Sequence, residues 1–239
     1  MDNEPKEDLK EEIKEALADL FENVEKDEAQ IISIPSGGTL KMRPLTFDDE
    51  RRLASLTGAS VEFLTEYINS CTDRDVSELW IVDKLFLISK LRSISFGSEY
   101  SAECTCPECD AKNSLTIDLN DLAVGMGDNF SGEITINLPK MDKSAILSLP
   151  KIKDEGYFSS ADILHSNLWR FIKQIGDYTN GPLIAEAVKQ MPITDIHAVL
   201  KALQPEDIGL QTQIMLACNK CNKQSVMELP INEGFFIVK

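Results

Sequence analysis

The chain lacks a long apolar run. Apolar residues make up 43% of its 239 residues, which is enough for a buried core, yet no stretch approaches the roughly 20 residues that a membrane-spanning helix needs. The first residues are acidic and polar, unlike the basic start and apolar segment of a secretory signal. The sequence therefore predicts a cytoplasmic protein that does not insert into membranes.

Basic residues are also scarce. The chain has 24 Lys and Arg residues against 40 Asp and Glu residues, so its formal net charge is −16. Nucleic acids and anionic membrane surfaces are polyanions and would be repelled by such a charge. The composition therefore argues against both as main partners and favours another protein.

Histidine is rarer still, because the chain has only His165 and His197. Either could be a zinc ligand or a base, but a histidine on an otherwise apolar helix more often packs than reacts. The Ser36-Gly37-Gly38 stretch lacks the lysine and the following helix of a phosphate-binding loop. We therefore predict that the protein is not an enzyme.

Six cysteines stand out against these absences. Four of them form two short pairs, Cys106-Pro107-Glu108-Cys109 and Cys218-Asn219-Lys220-Cys221. In a reducing compartment such pairs more often bind metal than form disulfides. Four thiolates are the ligand set of a structural zinc site and leave no open position for catalysis. We predict that Cys106, Cys109, Cys218 and Cys221 bind one Zn2+.

Other interpretations of the cysteines stay open at this point. Cys104 lies two residues before the first pair and could compete as a ligand, whereas Cys71 follows a helical run and should pack as a small apolar residue. Iron in the same site would make a rubredoxin-like electron carrier. A zinc-ribbon regulator of transcription or translation is a further alternative, but it would need a basic or aromatic face that the sequence does not show.

Residues 1–30 are predicted to form an acidic amphipathic helix and a linker. Between Asp2 and Glu28 lie twelve acidic and four basic residues. Apolar residues recur there at steps of three and four, which is typical of a helix with a narrow apolar stripe. The helix could pack on its own domain, or it could bind in a groove of a partner if the linker at residues 26–30 lets it detach.

Residues 31–99 are predicted to begin with a strand, a glycine turn and a second strand. Thr46 and Asp49 then have the spacing of a capping box, which begins a helix. The last helix of the region is apolar on most of its circumference and should be central to the core, with Gly97 ending it. The predicted helices are Thr46 to about Leu56, Val61–Cys71 and Ser77–Ile94.

Each cysteine pair lies between two predicted strands, and the two halves together predict a split zinc ribbon at residues 100–120 and 208–239. The insertion between them, residues 121–207, is predicted to be mainly helical. The overall fold class is therefore α+β. Within the insertion we predict a strand at Glu133–Leu138 and helices at Ser159–Ile175, Pro182–Gln190 and Thr194–Leu203.

Several short motifs together resemble the baseplate hub assembly proteins of T4-like contractile-tailed bacteriophages. The resemblance covers about residues 30–125, and beyond them it depends on overall length and on the late cysteine pair. The motifs are Ile34-Pro35-Ser36-Gly37-Gly38, Met42-Arg43-Pro44-Leu45-Thr46, Asp83-Lys84-Leu85-Phe86-Leu87, Ile94-Ser95-Phe96-Gly97 and Cys106-Pro107-Glu108-Cys109.

This resemblance implies a non-enzymatic factor in building the hub of a phage tail baseplate. The protein would be a chaperone-like assembly factor or a retained hub subunit. Its partners would be other phage tail or baseplate hub proteins, with the N-terminal helix as the candidate contact. It would act in the host cytoplasm and, as a retained subunit, would lie in the tail baseplate of the virion.

Overall fold

The computed structural model describes residues 7–20, 29–54, 61–127, 130–229, 231 and 233–236. Helices and small antiparallel sheets alternate along these ranges, which confirms the predicted α+β class. Among these residues no helix has the length and apolar character to cross a bilayer.

The first helix, α1 (Glu7–Leu20), confirms the predicted N-terminal helix. Its apolar stripe faces solvent: Ile13 is 48% exposed, Leu17 47% and Leu20 72%. The interpretation that this helix packs on its own domain therefore finds no support in these side chains. The rest of the predicted stripe beyond Leu20, and most of the predicted linker, lie outside the described residues.

The predicted strand-turn-strand unit is a hairpin of β1 (Gln30–Ser33) and β2 (Thr39–Met42). Helices α2 (Phe47–Ala54) and α3 (Val61–Cys71) follow it, as predicted. The capping box also forms, because Asp49 Oδ2 accepts from Thr46 N at 2.8 Å and Thr46 Oγ1 accepts from Asp49 N at 3.4 Å. This exchange satisfies N–H groups that the first helical turn leaves free.

Helix α4 (Ile81–Phe96) is the centre of the first core, with Leu87, Ile88 and Leu91 fully buried. The predicted start at Ser77 was wrong, because residues 76–78 form a separate 3-10 helix and Trp80 is extended. Trp80 pairs with Lys151 in an isolated bridge. This contact with a distant segment keeps Trp80 extended, so the helix begins only at Ile81. Gly97 ends α4 as predicted, with a φ of 88°.

A buried carboxylate attaches the first hairpin to α4. Asp83 is fully buried in this helix and accepts from Ser36 N at 2.9 Å and from Ser36 Oγ at 2.6 Å. Burial raises the pKa of Asp83, and the two bonds from Ser36 act against that rise. The glycine turn between β1 and β2 is therefore held against the central helix by a satisfied polar group.

After α4 come β3 (Glu99–Thr105) and β4 (Lys112–Asp118), which pair as the first cysteine hairpin. The insertion then contains a three-stranded antiparallel sheet, which the prediction of a mainly helical insertion did not include. Its elements are β5 (Val124–Gly125), β6 (Glu133–Leu138), β7 (Lys143–Ser148), α5 (Ala161–Asn167), β8 (Ile172–Ile175), α6 (Gly181–Gln190) and α7 (Ile193–Ala202), with β6, β7 and β8 adjacent in that order.

The predicted helix at Ser159–Ile175 was wrong in its second half. Helix α5 ends at Asn167, a 3-10 helix covers Leu168–Phe171, and β8 follows. Ile172 and Ile175 face the inner residues of β7 and join the second core. Pairing with a strand about 25 residues earlier thus outweighs the local helical pattern. The predicted strand β6 and the helices α6 and α7 are confirmed.

The second cysteine hairpin follows the insertion. Strand β9 (Gly209–Leu210) pairs with β5, and β10 (Gln213–Ala217) pairs with β11 (Gln224–Glu228). Gly209 lies so close to α4 that an added Cβ would be 2.5 Å from Val82 O. Further 3-10 helices lie at Leu119–Asp121, Ile152–Phe158 and Glu233–Phe236.

Two hydrophobic cores divide the described residues. The first surrounds α4 and includes β1, β2, α3, the inner faces of both cysteine hairpins and the C-terminal Phe235 and Phe236. The second lies within residues 136–203. Ile152 lies in the insertion by sequence but packs in the first core. The predicted domain limits at residues 30, 99, 120 and 208 stay a prediction.

Candidate metal centre

Each cysteine hairpin ends in the same kind of tight turn. In the first, Cys106 N donates to Ala111 O at 2.9 Å, and Asp110 N donates to Cys106 O at 3.0 Å. The residue after the second cysteine, Asp110, has a φ of 55°, in the left-handed region that Asp and Asn adopt more readily than most side chains. This turn places both thiols of the pair on one side of the hairpin tip.

The second turn repeats these contacts. Cys218 N donates to Lys223 O at 3.0 Å, Asn222 N donates to Cys218 O at 2.9 Å, and Asn222 has a φ of 57°. Each residue of the first hairpin thus corresponds to the residue 112 positions later in the chain. The two hairpins are equivalent in local geometry although their other residues differ.

The two tips face each other and bring the four predicted thiols together. All four sulfurs lie within 4.8 Å of one another. Cys106 Sγ is 3.8 Å from Cys221 Sγ, and Cys109 Sγ is 3.7 Å from Cys218 Sγ. A disulfide would need about 2.05 Å, so these are separate thiols.

These distances suit a tetrahedral ion. With a Zn–S bond of about 2.3 Å, the sulfurs of a tetrahedral site lie about 3.8 Å apart. The closest sulfur pairs match that spacing, and the donor set is the four-thiolate set that zinc prefers. The side chains present therefore fit a zinc ion.

The thiols of the cluster differ in acidity. The backbone N–H of Cys221, and then that of Lys220, donate to Cys218 Sγ and lower the pKa of that thiol to about 6. The N–H of Ala111 acts to lower the pKa of Cys109, but burial and the neighbouring thiols outweigh it and raise that pKa to about 12. The first thiolate of the cluster is thus favourable. Each further thiolate would repel it unless a bound cation offset their negative charge.

Asn113 joins the two turns, and sequence reasoning missed it. It is 4% exposed, and its Nδ2 donates to Ala111 O at 2.9 Å and to Cys218 Sγ at 3.7 Å. Its Oδ1 accepts from Asn219 N at 3.0 Å. One signal could have revealed it: Asn113 is a polar residue on the inward face of β4, where Leu115 and Ile117 follow.

An ion pair links the outer sides of the turns. Lys223 Nζ lies 2.5 Å from Glu108 Oε2, and both side chains are largely exposed. Exposed ion pairs of this kind contribute about 0–1 kcal/mol. The thiols and Asn113 therefore carry most of the contact between the two tips.

The remaining cysteines and the histidines lie outside the cluster. Cys104 Sγ donates to Asn113 O at 3.6 Å and occupies the position that corresponds to Leu216, so it is a packing residue. Cys71 is buried in the first core, as predicted. His165 and His197 are both exposed, so the interpretation of packed histidines was wrong.

Fold and cluster together define an α+β protein in which two distant hairpins are joined by a four-thiol cluster. A family model described as "T4 bacteriophage base plate protein" matches residues 26–237, and the chain belongs to this family. The resemblance to T4-like baseplate proteins is thereby confirmed. Among the curated proteins and among the solved structures, nothing matches the chain.

Proposed function

We propose that Cys106, Cys109, Cys218 and Cys221 bind one structural Zn2+ and that the two hairpins form a split zinc ribbon. The sulfur spacing and the equivalence of the turns support this proposal. Bound zinc would supply positive charge that holds four thiolates together. Since all four positions would be filled by sulfur, the ion would stabilise the fold rather than activate water.

The zinc proposal is tested by metal analysis of the purified chain and by thermal melting before and after chelation. We expect one zinc per chain and a large fall in Tm on chelation, because metal bound only by the folded state adds its binding free energy to folding. Cys109→Ser should abolish zinc binding, whereas Cys104→Ala should retain it as the matched control. A red, iron-loaded sample would indicate an electron carrier, and a stable metal-free sample would contradict metal binding altogether.

We propose that the protein is a non-enzymatic factor or subunit of the baseplate hub. The observation that carries this proposal is the family match over residues 26–237. Baseplate proteins act by binding other phage tail proteins, and a net charge of −16 suits binding to basic protein surfaces. On this proposal the chain acts in the host cytoplasm, as a chaperone-like assembly factor or before incorporation into the tail.

We further propose α1 as one contact with these partners. Its stripe of Ile13, Leu17 and Leu20 is exposed, and helices of this kind bind in apolar grooves through residues spaced by three and four. Its flanks are acidic, with six acidic and two basic residues between Glu7 and Leu20.

Co-expression with the neighbouring tail genes, one at a time, tests the hub proposal. We expect at least one hub protein to co-purify with the chain, and we expect deletion of residues 1–28 to weaken that retention while Tm stays unchanged. Retention of no tail protein would contradict the hub proposal, and turnover of a substrate by the isolated chain would contradict its non-enzymatic part.

A further inference from the structure

The outward faces of the two cysteine hairpins differ in chemistry. On the second hairpin, Met215 and Val226 are opposite each other and are each 59% exposed. Their flanking neighbours on the same face are Gln213, Ala217, Gln224 and Glu228. Glu228 is therefore the one charged side chain on this face of the two described strands.

The first hairpin has the same architecture, but its outward face carries polar residues. Glu103 and Ser114 are opposite each other at the positions that correspond to Met215 and Val226. Ser101 Oγ and Thr116 Oγ1 form a hydrogen bond 2.8 Å long on that face. Because the hairpin geometry tolerates polar residues at these positions, the exposed methionine and valine have no structural requirement. Exposed apolar residues become candidates for a contact surface when they adjoin a larger apolar region.

A groove continues this apolar face. It has a volume of about 580 Å³, and its walls include Ile81, Val82 and Leu85 of α4. Gln213 and Glu228 also line it, and both lie on the exposed face of the second hairpin, next to Met215 and Val226. Groove and hairpin face form one surface, here called the second-hairpin surface. It comprises Leu85, Glu206, Gln213, Met215, Val226 and Glu228.

The charges at this surface indicate which partners it can bind. Glu206 and Glu228 line the groove, and no lysine or arginine is among the described residues of its walls. Helix α1, with six acidic and two basic residues, would meet like charge there. A second copy of the chain would bring another net charge of −16. Both of these occupants are disfavoured by repulsion.

The size of the surface indicates the shape of the occupant. Two exposed side chains are too few for a stable interface, which buries about 1,000 Å² or more in total. An elongated segment that lies in the groove and crosses the hairpin face would contact both parts. Such a segment needs apolar residues for Leu85, Met215 and Val226, and a cation for the carboxylates.

We propose that the second-hairpin surface binds an apolar segment of another tail protein that carries lysine or arginine residues next to its apolar residues. This inference rests on the proposed hub function and names the chemistry of its partner. Apolar burial at Met215 and Val226 provides affinity, and Glu206 and Glu228 orient the basic residues.

The test exchanges the chemistry of one hairpin for that of the other. The double variant Met215→Glu with Val226→Ser places on the second hairpin the pair that the first hairpin already carries. We expect its metal content and Tm to stay unchanged, and its affinity for the co-purifying tail protein to fall at least 10-fold. The matched control, Glu103→Gln with Ser114→Ala on the first hairpin, should bind like the wild-type chain.

A charge variant and a crosslinking experiment identify the occupant. Glu206→Lys should weaken binding about 10-fold and flatten its dependence on salt. A photo-crosslinking residue at position 226, compared with one at position 114, should yield a crosslinked tail-protein peptide that contains apolar and basic residues. A crosslink to the chain's own residues 7–20 or to a second copy would overturn the proposal.

The results separate this inference from the hub proposal. If the wild-type chain retains a tail protein and the Met215→Glu, Val226→Ser variant retains it equally well, the second-hairpin surface is not the contact and the hub proposal stands. If the wild-type chain retains no tail protein, both are wrong.

Discussion

Asn113 is not a metal ligand, yet it contacts both turns of the candidate metal centre. Replacing it with alanine would leave Asn219 N without its acceptor and would remove the donor to Cys218 Sγ. Substituting a residue that hydrogen-bonds to a metal ligand typically lowers metal affinity by 10–100-fold. On the zinc proposal, we expect Asn113→Ala to release the ion to a chelator on the order of 10-fold faster than the wild-type chain does.

The control for this variant is Asn219→Ala. Its side chain is exposed, and the substitution keeps the backbone N–H from which Asn113 accepts. It should therefore release zinc at the wild-type rate. Equal release rates for both variants would mean that Asn113 does not hold the two turns together.

Asp49 makes stability depend on pH. Its carboxylate is 3% exposed and accepts from Arg43 Nη1 at 2.7 Å, from Arg43 Nη2 at 3.0 Å and from Thr46. The bonds from Arg43, the largest cause, hold the pKa of Asp49 well below its usual value. A carboxyl whose pKa is lowered by folding stabilises the protein above its unfolded pKa of about 3.9 and loses that contribution as the pH falls.

We expect Asp49→Asn to lower the free energy of unfolding at pH 7 by about 1–3 kcal/mol. The difference from the wild-type chain should shrink as the pH falls from about 4 towards 2, because the carboxyl of the unfolded wild-type chain then takes up a proton while the folded carboxylate stays ionised. Urea unfolding at several pH values measures this. Asp48→Asn removes a largely exposed carboxylate and should cost far less; a constant difference for Asp49→Asn across this range would contradict the assigned role.

Among the elements, the short 3-10 helix Glu233–Phe236 packs in the first core. Phe235 is fully buried and lies 4.7 Å from the ring of Tyr100, measured between ring centroids. Arg92 Nε donates to Phe235 O at 3.0 Å, and its guanidinium lies over both rings. This element therefore connects α4 with the first cysteine hairpin.

We expect Phe235→Ala to lower the free energy of unfolding by about 3–5 kcal/mol, the usual cost of removing a buried aromatic ring. Chemical denaturation of the zinc-loaded chain measures it. Phe47→Ala is the matched control, since Phe47 is 80% exposed and should change stability by less than about 0.5 kcal/mol. Similar losses for the two variants would mean that Phe235 does not pack as described.

Local sequence signals were sufficient to locate helix ends that are determined by the residues at those ends. The capping box at Thr46 and the glycine at position 97 located a helix start and a helix end correctly. The errors occurred where pairing with a distant segment determines the local conformation. Trp80 is extended because it pairs with Lys151. Strand β8 forms because Ile172 and Ile175 pair with β7. No local pattern contains such pairings.

The candidate metal centre was predictable to the same extent. Two Cys-x-x-Cys pairs identified the four thiols, because the ligand spacing is local to each turn. The prediction that one ion binds all four thiols already required the two turns to meet. The bridging role of Asn113 was not visible, because it depends on how the two hairpins pack. The contrast between Glu103 and Met215 likewise needed the strand registers.

For the whole molecule, the two cores predict an uneven response to metal removal. Both cysteine hairpins contribute to the first core, whereas the second core lies within residues 136–203. We expect chelation to speed amide hydrogen exchange at least about 10-fold in β3, β4, β10 and β11, while β6, β7 and β8 keep their protection.

Hydrogen exchange with mass spectrometry measures this difference peptide by peptide. The comparison needs no variant, because the second core of the same chain is the internal control. An equal loss of protection in both cores would show that they unfold as one cooperative unit.

The positions of the two cysteine turns also set the order of events during synthesis. The second turn, at residues 218–221, is translated 112 positions after the first. At about 5–20 residues per second, Cys106 and Cys109 wait roughly 10 s for their partners. The residues of β6, β7 and β8 are all translated within that interval, so on the zinc proposal the four ligands can come together only after the insertion has been made. A chain that ended before residue 218 would carry only two of the four proposed ligands.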